Sequence, residues 1–122
     1  MCIRDSLTAV ASAQTDDFND GNDTGWSRLD PLTEAGVPAG TFSFPEGGYR
    51  FEHDASPDAE LLGNARIGSH RMDIAHQNFL IEVDVVTWDD ASDHNIGILA
   101  RINDPGLGST GGYALTLGAR YW

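Results

Sequence analysis

Oxygen-bearing side chains crowd one short stretch of this 122-residue chain: Asp16, Asp17, Asn19, Asp20, Asn22 and Asp23 fall within eight positions. Carboxylates held so close repel one another unless they are solvated, bonded to nearby N–H groups or shared by a cation. Calcium takes about 6–8 oxygens, backbone carbonyls included, and the glycines at 21 and 25 would expose such carbonyls. Asp17, Asp20, Asn22 and Asp23 are therefore candidate ligands for a structural Ca2+ ion. The run Asp20-x-Asn22-x-Thr24-Gly25 begins like a calcium loop, but Pro31 stands where the closing Glu of an EF-hand would be. The competing reading is an Asx-rich turn, with side chains accepting from local backbone N–H groups. Asp89, Asp90 and Asp93 form a second acidic cluster.

A different chemistry is offered by Glu82, Asp84 and Trp88. On an alternating strand these three share one face. Every second Cα of a strand is about 6.6–7 Å apart, and paired carboxylates at about 5–5.5 Å are what retaining glycoside hydrolysis uses. No catalytic residue is assigned; Glu82 and Asp84 are the runner-up pair, should the chain be an enzyme. An indole face also stacks on the C–H face of a sugar ring, while carboxylates and an Arg such as Arg101 bond its hydroxyls. Trp88, Glu82, Asp84 and Arg101 thus form a candidate ligand site. Trp26, Trp122, Tyr49 and Tyr113 are further possible platforms, with Trp26 expected in the core. Other chemistries lack their residues. There is no G-x-S-x-G, the single cysteine is Cys2, and His53, His70, His76 and His94 show no zinc-site spacing.

Nineteen acidic residues against seven basic ones, all Arg, give a net charge of −12. Such a surface repels phosphate backbones and anionic lipid, which argues against nucleic acid as a partner. No apolar run approaches the roughly 20 residues of a membrane span. Met1 to Ser6 resembles a translated sequencing adapter. Leu7 to Ala13, LTAVASA, reads as the end of a signal peptide with an A-x-A site and cleavage before Gln14. Residues 1–13 are thus expected to lie outside the domain. Residues 14–122 are expected to form one secreted, extracellular or periplasmic unit. The abrupt stop after Tyr113–Leu117 predicts a domain incomplete at its C-terminus.

The elements that must position these groups read as strands. Phe79–Trp88 alternates, placing Phe79, Ile81, Val83 and Val85 on a wholly apolar face expected to line the core. Asn95–Ile102 alternates likewise and should pair with it across a loop at 89–94. A turn-rich loop over 103–112 feeds a strand at Tyr113–Leu117. Gly40–Phe44 and Tyr49–His53 flank Pro45-Glu-Gly-Gly48 as a hairpin, with Phe42 and Phe44 set against Tyr49 and Phe51. Trp26–Leu29 and Ala65–Met72 are shorter strands. One helical turn or two is expected from a Ser56 cap, with Pro57 at the first position and Gly63 at the end.

This order of features resembles the concanavalin A-like lectin/glucanase superfamily, including laminin-G-like modules. The likeness rests on Asp17-Phe-Asn-Asp20 with Gly25-Trp26, the Gly40–Phe44 and Gly48–Phe51 pair, Phe79–Trp88, Asn95–Arg101 and Gly112-Tyr-Ala-Leu115. It implies an all-β, antiparallel jelly-roll sandwich whose members bind or cleave glycans or serve in adhesion. Glycan-cleaving members often carry E-x-D-x-E on one strand; here Val86 replaces the third acid. Phe18–Trp26 is also similar to the opening F-N-G-x-x-L-x-G-W of secreted sandwich proteins described as 3-keto-disaccharide hydrolases, with Asp23 in place of the apolar residue. The expectation drawn is a non-catalytic module that recognises glycan or another cell-surface ligand. The alternatives are a carbohydrate-active hydrolase of the same fold, with further acids beyond Trp122, and a structural surface domain without a small ligand.

Overall fold

The structure, a computed structural model, describes residues 14–89 and 94–118. Strand outweighs helix, 29% to 12%. All strand pairing is antiparallel, in three separate two-stranded sheets among the described residues. These are β1 (Ser27–Leu29) with β4 (Gly68–His70), β2 (Thr41–Ser43) with β3 (Arg50–Glu52), and β5 (Asn95–Asn103) with β6 (Gly111–Gly118).

The β2–β3 hairpin forms where aromatic alternation and turn residues predict it. Phe42 lies opposite Phe51, and a 3-10 turn at Pro45–Gly47 connects the strands. Its rings build the main aromatic cluster. Tyr49 sits at the hub, with ring centroids 4.7 Å from Phe44, 4.6 Å from Phe51, 4.9 Å from Phe18 and 6.1 Å from Phe42. Such pairs contribute about 0.5–1.5 kcal/mol each beyond area burial. Phe18 joins at the expense of a positive φ of 53°, a conformation bulky side chains avoid. Trp26, expected in the core, is half-buried beside Phe18 at 5.8 Å.

Between β1 and β2 runs a 3-10 turn at Pro31–Ala35, which carries Leu32, the one fully buried large apolar side chain among the described residues. Proline at its first position suits the missing N–H. Gly36 ends it at φ 79°, a left-handed conformation that glycine adopts without a Cβ clash. The α-helix α1 spans Ala59–Leu62 and ends at Gly63 as expected. Its cap is not Ser56, however. The Asp58 carboxylate accepts from Leu61 N at 3.0 Å, so a side chain two residues later satisfies the free N–H groups and shortens the helix to a single turn.

β5 and β6 are the longest strands and match the expected alternation. Ile96 faces Leu117, Ile98 faces Leu115 and Ala100 faces Tyr113. A register shift interrupts the ladder between Ala100 and Asn103, where Arg101 takes φ 52°.

The largest departure from expectation is Phe79–Trp88. No strand forms there, and the four residues expected in a dry core are exposed: Phe79 46%, Ile81 41%, Val83 61% and Val85 52%. Glu82 and Asp84 are exposed as well. Strand propensity does not supply a partner, and an unpaired strand retains neither ladder bonds nor a covering layer. A closed sandwich is accordingly not formed by the described strands.

Candidate functional site

One concave feature among the described residues is an open groove of about 300 Å3, lined by Arg28, Asp30, Thr33, Glu34, His70 and Pro105 among others. Three parts of the chain meet there. β1 and the turn after it supply residues 28–34, β4 supplies His70, and the loop between β5 and β6 supplies Pro105. Pairing of Ser27 with His70 in the β1–β4 ladder places the histidine at this wall.

Asp30 anchors the floor. Its Oδ2 accepts from Gly40 N at 2.8 Å, and its backbone carbonyl accepts from the Thr33 hydroxyl at 2.7 Å. The carboxylate therefore does not cap its own 3-10 turn. Its Oδ1 lies 3.3 Å from His53 Nε2, with both side chains at least nine-tenths buried. The two atoms are within ion-pair reach but not aligned for a hydrogen bond. His53 Nδ1 meets the Asp54 carbonyl at 2.6 Å, and a carbonyl only accepts, so that nitrogen carries a proton. His70 Nδ1 is also buried, with no hydrogen-bond partner among the described residues.

Arg28 is held from outside the groove. Its Nε and Nη2 donate to Asp23 at 2.7 and 3.3 Å, its guanidinium lies 4.8 Å from the Phe42 ring centre, and the Tyr49 hydroxyl donates to the same Asp23. The Arg28 bond, followed by that from Tyr49, holds the Asp23 carboxyl below the usual carboxylate range. Burial, reinforced by Asp23, pushes the Tyr49 phenol up. Glu34 Oε1 accepts from Leu107 N at 3.4 Å and so ties the Pro105 loop to the groove. That loop is braced internally by Gly106 N donating to Thr110 Oγ1 at 2.9 Å and by the Ser109 hydroxyl donating to the Asp104 carbonyl at 2.7 Å.

The residues singled out from sequence lie elsewhere. In the acidic stretch, Asp16, Asp17 and Asp20 each accept from the backbone N–H two residues on, at 3.1–3.2 Å, and Asn22 accepts from Thr24 N at 2.9 Å. This is the Asx-turn arrangement. The Asn19 N–H also lowers the Asp17 pKa. Asp23, with both oxygens engaged by Arg28 and one by Tyr49, is committed to the protein. Among the described residues no three His, Cys, Asp or Glu side chains converge on a common metal position. The oxygens of Asp17, Asp20, Asn22 and Asp23 take part in successive turns and one ion pair. Asp89 belongs to the described residues; Asp90 and Asp93 lie outside them, as do Cys2, the rest of residues 1–13 and Trp122.

Glu82 and Asp84 stand on an exposed segment and contribute nothing to the groove. Trp88 is 37% exposed and meets His94 edge-on at 6.2 Å. Arg101 turns toward the other end of this segment, donating to the Gln77 carbonyl at 2.9 Å with its guanidinium 5.9 Å from the Phe79 ring. The expected quartet of Trp88, Glu82, Asp84 and Arg101 is therefore divided between two ends of one segment. Tyr49 is spent in the aromatic cluster, whereas Tyr113 is 72% exposed. No known protein family, curated protein or solved structure matches the chain.

Sequence reading missed Asp30, His53 and His70 as a group. They are 17 to 40 positions apart, and no spacing rule joins them. The available signals were local: Asp30-Pro31 as the entry to a turn, and His53 directly after an aromatic strand.

Proposed function

We propose that the protein is a secreted or cell-surface module that binds a hydroxyl-rich ligand, a saccharide terminus, without cleaving it, and that the groove is its site. The observation that carries this reading is the groove itself, whose rim mixes a cation (Arg28), acceptors (Asp30, Glu34), a hydroxyl (Thr33) and an imidazole (His70) around an open concavity of about 300 Å3. Sugar hydroxyls both donate and accept, and such a mixed rim satisfies both. Its volume lies at the lower end of small-ligand sites, which suits one ring or a chain end. Partial prior commitment of Arg28 to Asp23 and Glu34 to Leu107 holds these groups in place before the ligand arrives, which lowers the ordering cost of binding.

The non-catalytic reading is supported by the carboxylates. Asp30 is bonded to Gly40 and faces His53, while Glu82 and Asp84 stand outside the groove. The concanavalin A-like sandwich is the fold we propose. The test is an NMR titration of the protein with a panel of neutral mono- and disaccharides. Shifts should concentrate at residues 28–34, 70 and 105–107. Glu34→Ala and His70→Ala should each weaken binding about tenfold, the equivalent of roughly 1.4 kcal/mol. Shifts confined to Trp88 and Tyr113, or release of a reducing end from an oligosaccharide, would overturn this reading.

A further inference from the structure

β5 hydrogen-bonds β6 along one edge, and among the described residues no strand occupies the other edge. An open strand edge presents a row of N–H and C=O groups ready to pair. Beside it lies Phe79–Trp88, the most strand-prone segment of the chain, with no strand partner of its own.

Both ends of this segment already touch β5 or the residue that precedes it. At one end Arg101 bonds the Gln77 carbonyl and lies against Phe79. At the other, Trp88 meets His94. The residue numbers rise on one side as they fall on the other, which is the order of an antiparallel pair. The interruption of the β5 ladder falls at Arg101, and an irregularity there re-aims a side chain out of the regular pleat. Within Phe79–Val86 exposure steps between neighbours as a strand's would: Leu80 is 81% exposed but Ile81 41%, and Val86 85% but Val85 52%; Trp88, beyond this stretch, is 37% exposed and leaves the pattern.

We propose that Phe79–Val86 is a strap that closes on the free edge of β5 and becomes the third strand of that sheet, antiparallel and outermost opposite β6. Closure converts the unpaired edge into a ladder and carries Glu82 and Asp84 together onto an edge strand. Arg101 guides one end and His94 the other. Glu82 and Asp84 suit this position, because charged side chains on an edge strand discourage pairing with a further chain. The inference is independent of the groove and of what it binds.

Amide hydrogen exchange on the full chain tests it. In the closed form alternate amides between 80 and 86 point at β5, and these should exchange at least about tenfold more slowly than in an unstructured peptide, with the intervening amides fast. A second readout uses the Cys2→Ser chain carrying Ile81→Cys and Leu99→Cys, whose β-carbons come within cross-strand reach on closure. A disulfide should form on mild oxidation while the β5–β6 amides stay protected. Exchange at the free-peptide rate throughout 80–86, with β5–β6 protected, would overturn the proposal. So would preferential cross-linking of Ile81→Cys to Leu115→Cys on β6, since that places the segment on the sheet's face and not at its edge.

Discussion

Replacing Tyr49 with Phe removes one oxygen from the centre of the aromatic cluster and leaves every ring contact in place. The lost interaction is the hydroxyl's bond to Asp23, a carboxylate that also carries both Arg28 bonds. Hydrogen bonds to charged groups contribute about 1.5–3 kcal/mol. Here Asp23 is 19% exposed and Arg28 49% exposed, so solvent screening brings the expected loss for Tyr49→Phe to about 1 kcal/mol. For a domain of this size that is a drop in Tm of about 4 °C. Tyr49→Ala, which also empties the hub of four rings, should cost about 3–5 kcal/mol. The pH dependence has a definite sign at each side. The Asp23 pKa is lowered from 3.8, so its contribution is fully present above that value and fades as pH falls through the lower folded value. The Tyr49 pKa is raised from 10.0, so its contribution is fully present below 10.0 and fades as pH rises through the higher folded value. The gap in Tm between wild type and Tyr49→Phe should therefore be widest on a plateau between these limits and shrink outside them. Differential scanning calorimetry at a series of pH values measures it. An unchanged or higher Tm for Tyr49→Phe at neutral pH would show that the bond contributes nothing net and would refute the reasoning.

Asp30→Ala removes the acceptor for Gly40 N; leaving that part-buried donor unpaired costs about 1–3 kcal/mol, which should appear as a lower urea midpoint with an unchanged slope. A Cβ at Gly40 would lie 2.7 Å from the Glu52 carbonyl and 2.9 Å from the His53 ring, so Gly40→Ala should destabilise by about 1–3 kcal/mol through overpacking; a neutral result in the same titration would mean that β3 yields freely. Because the Asp16–Asp23 carboxylates are bonded to backbone and to Arg28, millimolar calcium should move Tm by less than about 1 °C, and a saturable rise of several degrees would instead establish a bound ion.

Local patterns were the readable part of this chain. Phe42, Phe44, Tyr49 and Phe51 around Pro45-Glu-Gly-Gly48 state both the hairpin and its turn, because each signal lies within a dozen residues of its partner. Asn95–Ile102 and Tyr113–Leu117 were readable as strands from their alternation, although the partner expected for Asn95–Ile102 was Phe79–Trp88 and not the strand that follows it. The i to i+2 spacing of Asp16, Asp17, Asp20 and Asn22 with their N–H donors made Asx turns visible as the rival to a calcium site. The helix is legible from Pro57 and Gly63 but its cap is not, since Ser56 and Asp58 are both good caps and only the φ/ψ path of the chain selects between them. Phe79–Trp88 had the strongest periodicity and the poorest outcome. Alternation states which side chains share a face, but it says nothing about whether another layer arrives to cover that face. The groove was hidden because Arg28, Asp30 and His70 come to one wall only after β1 pairs with β4.

The distribution of apolar surface links these observations. Among the described residues, the half of the chain from Asp16 to His70 places its large rings against one another around Tyr49. The other half leaves Phe79, Ile81, Val83, Val85, Leu115 and Leu117 open to water. A buried aliphatic side chain stabilises by about 1.5–3 kcal/mol relative to an exposed one, so each of these residues represents stability that this arrangement does not collect. Strap closure recovers the edge bonds of β5 and part of that surface, but an edge strand covers no sheet face. The two faces of the β5–β6 sheet still require a second layer, as any sheet apolar on its faces does. The groove is tied to that sheet through Glu34 and the Pro105 loop. Whatever steadies the sheet therefore also steadies one wall of the groove, and ligand affinity should rise with the order of β5 and β6.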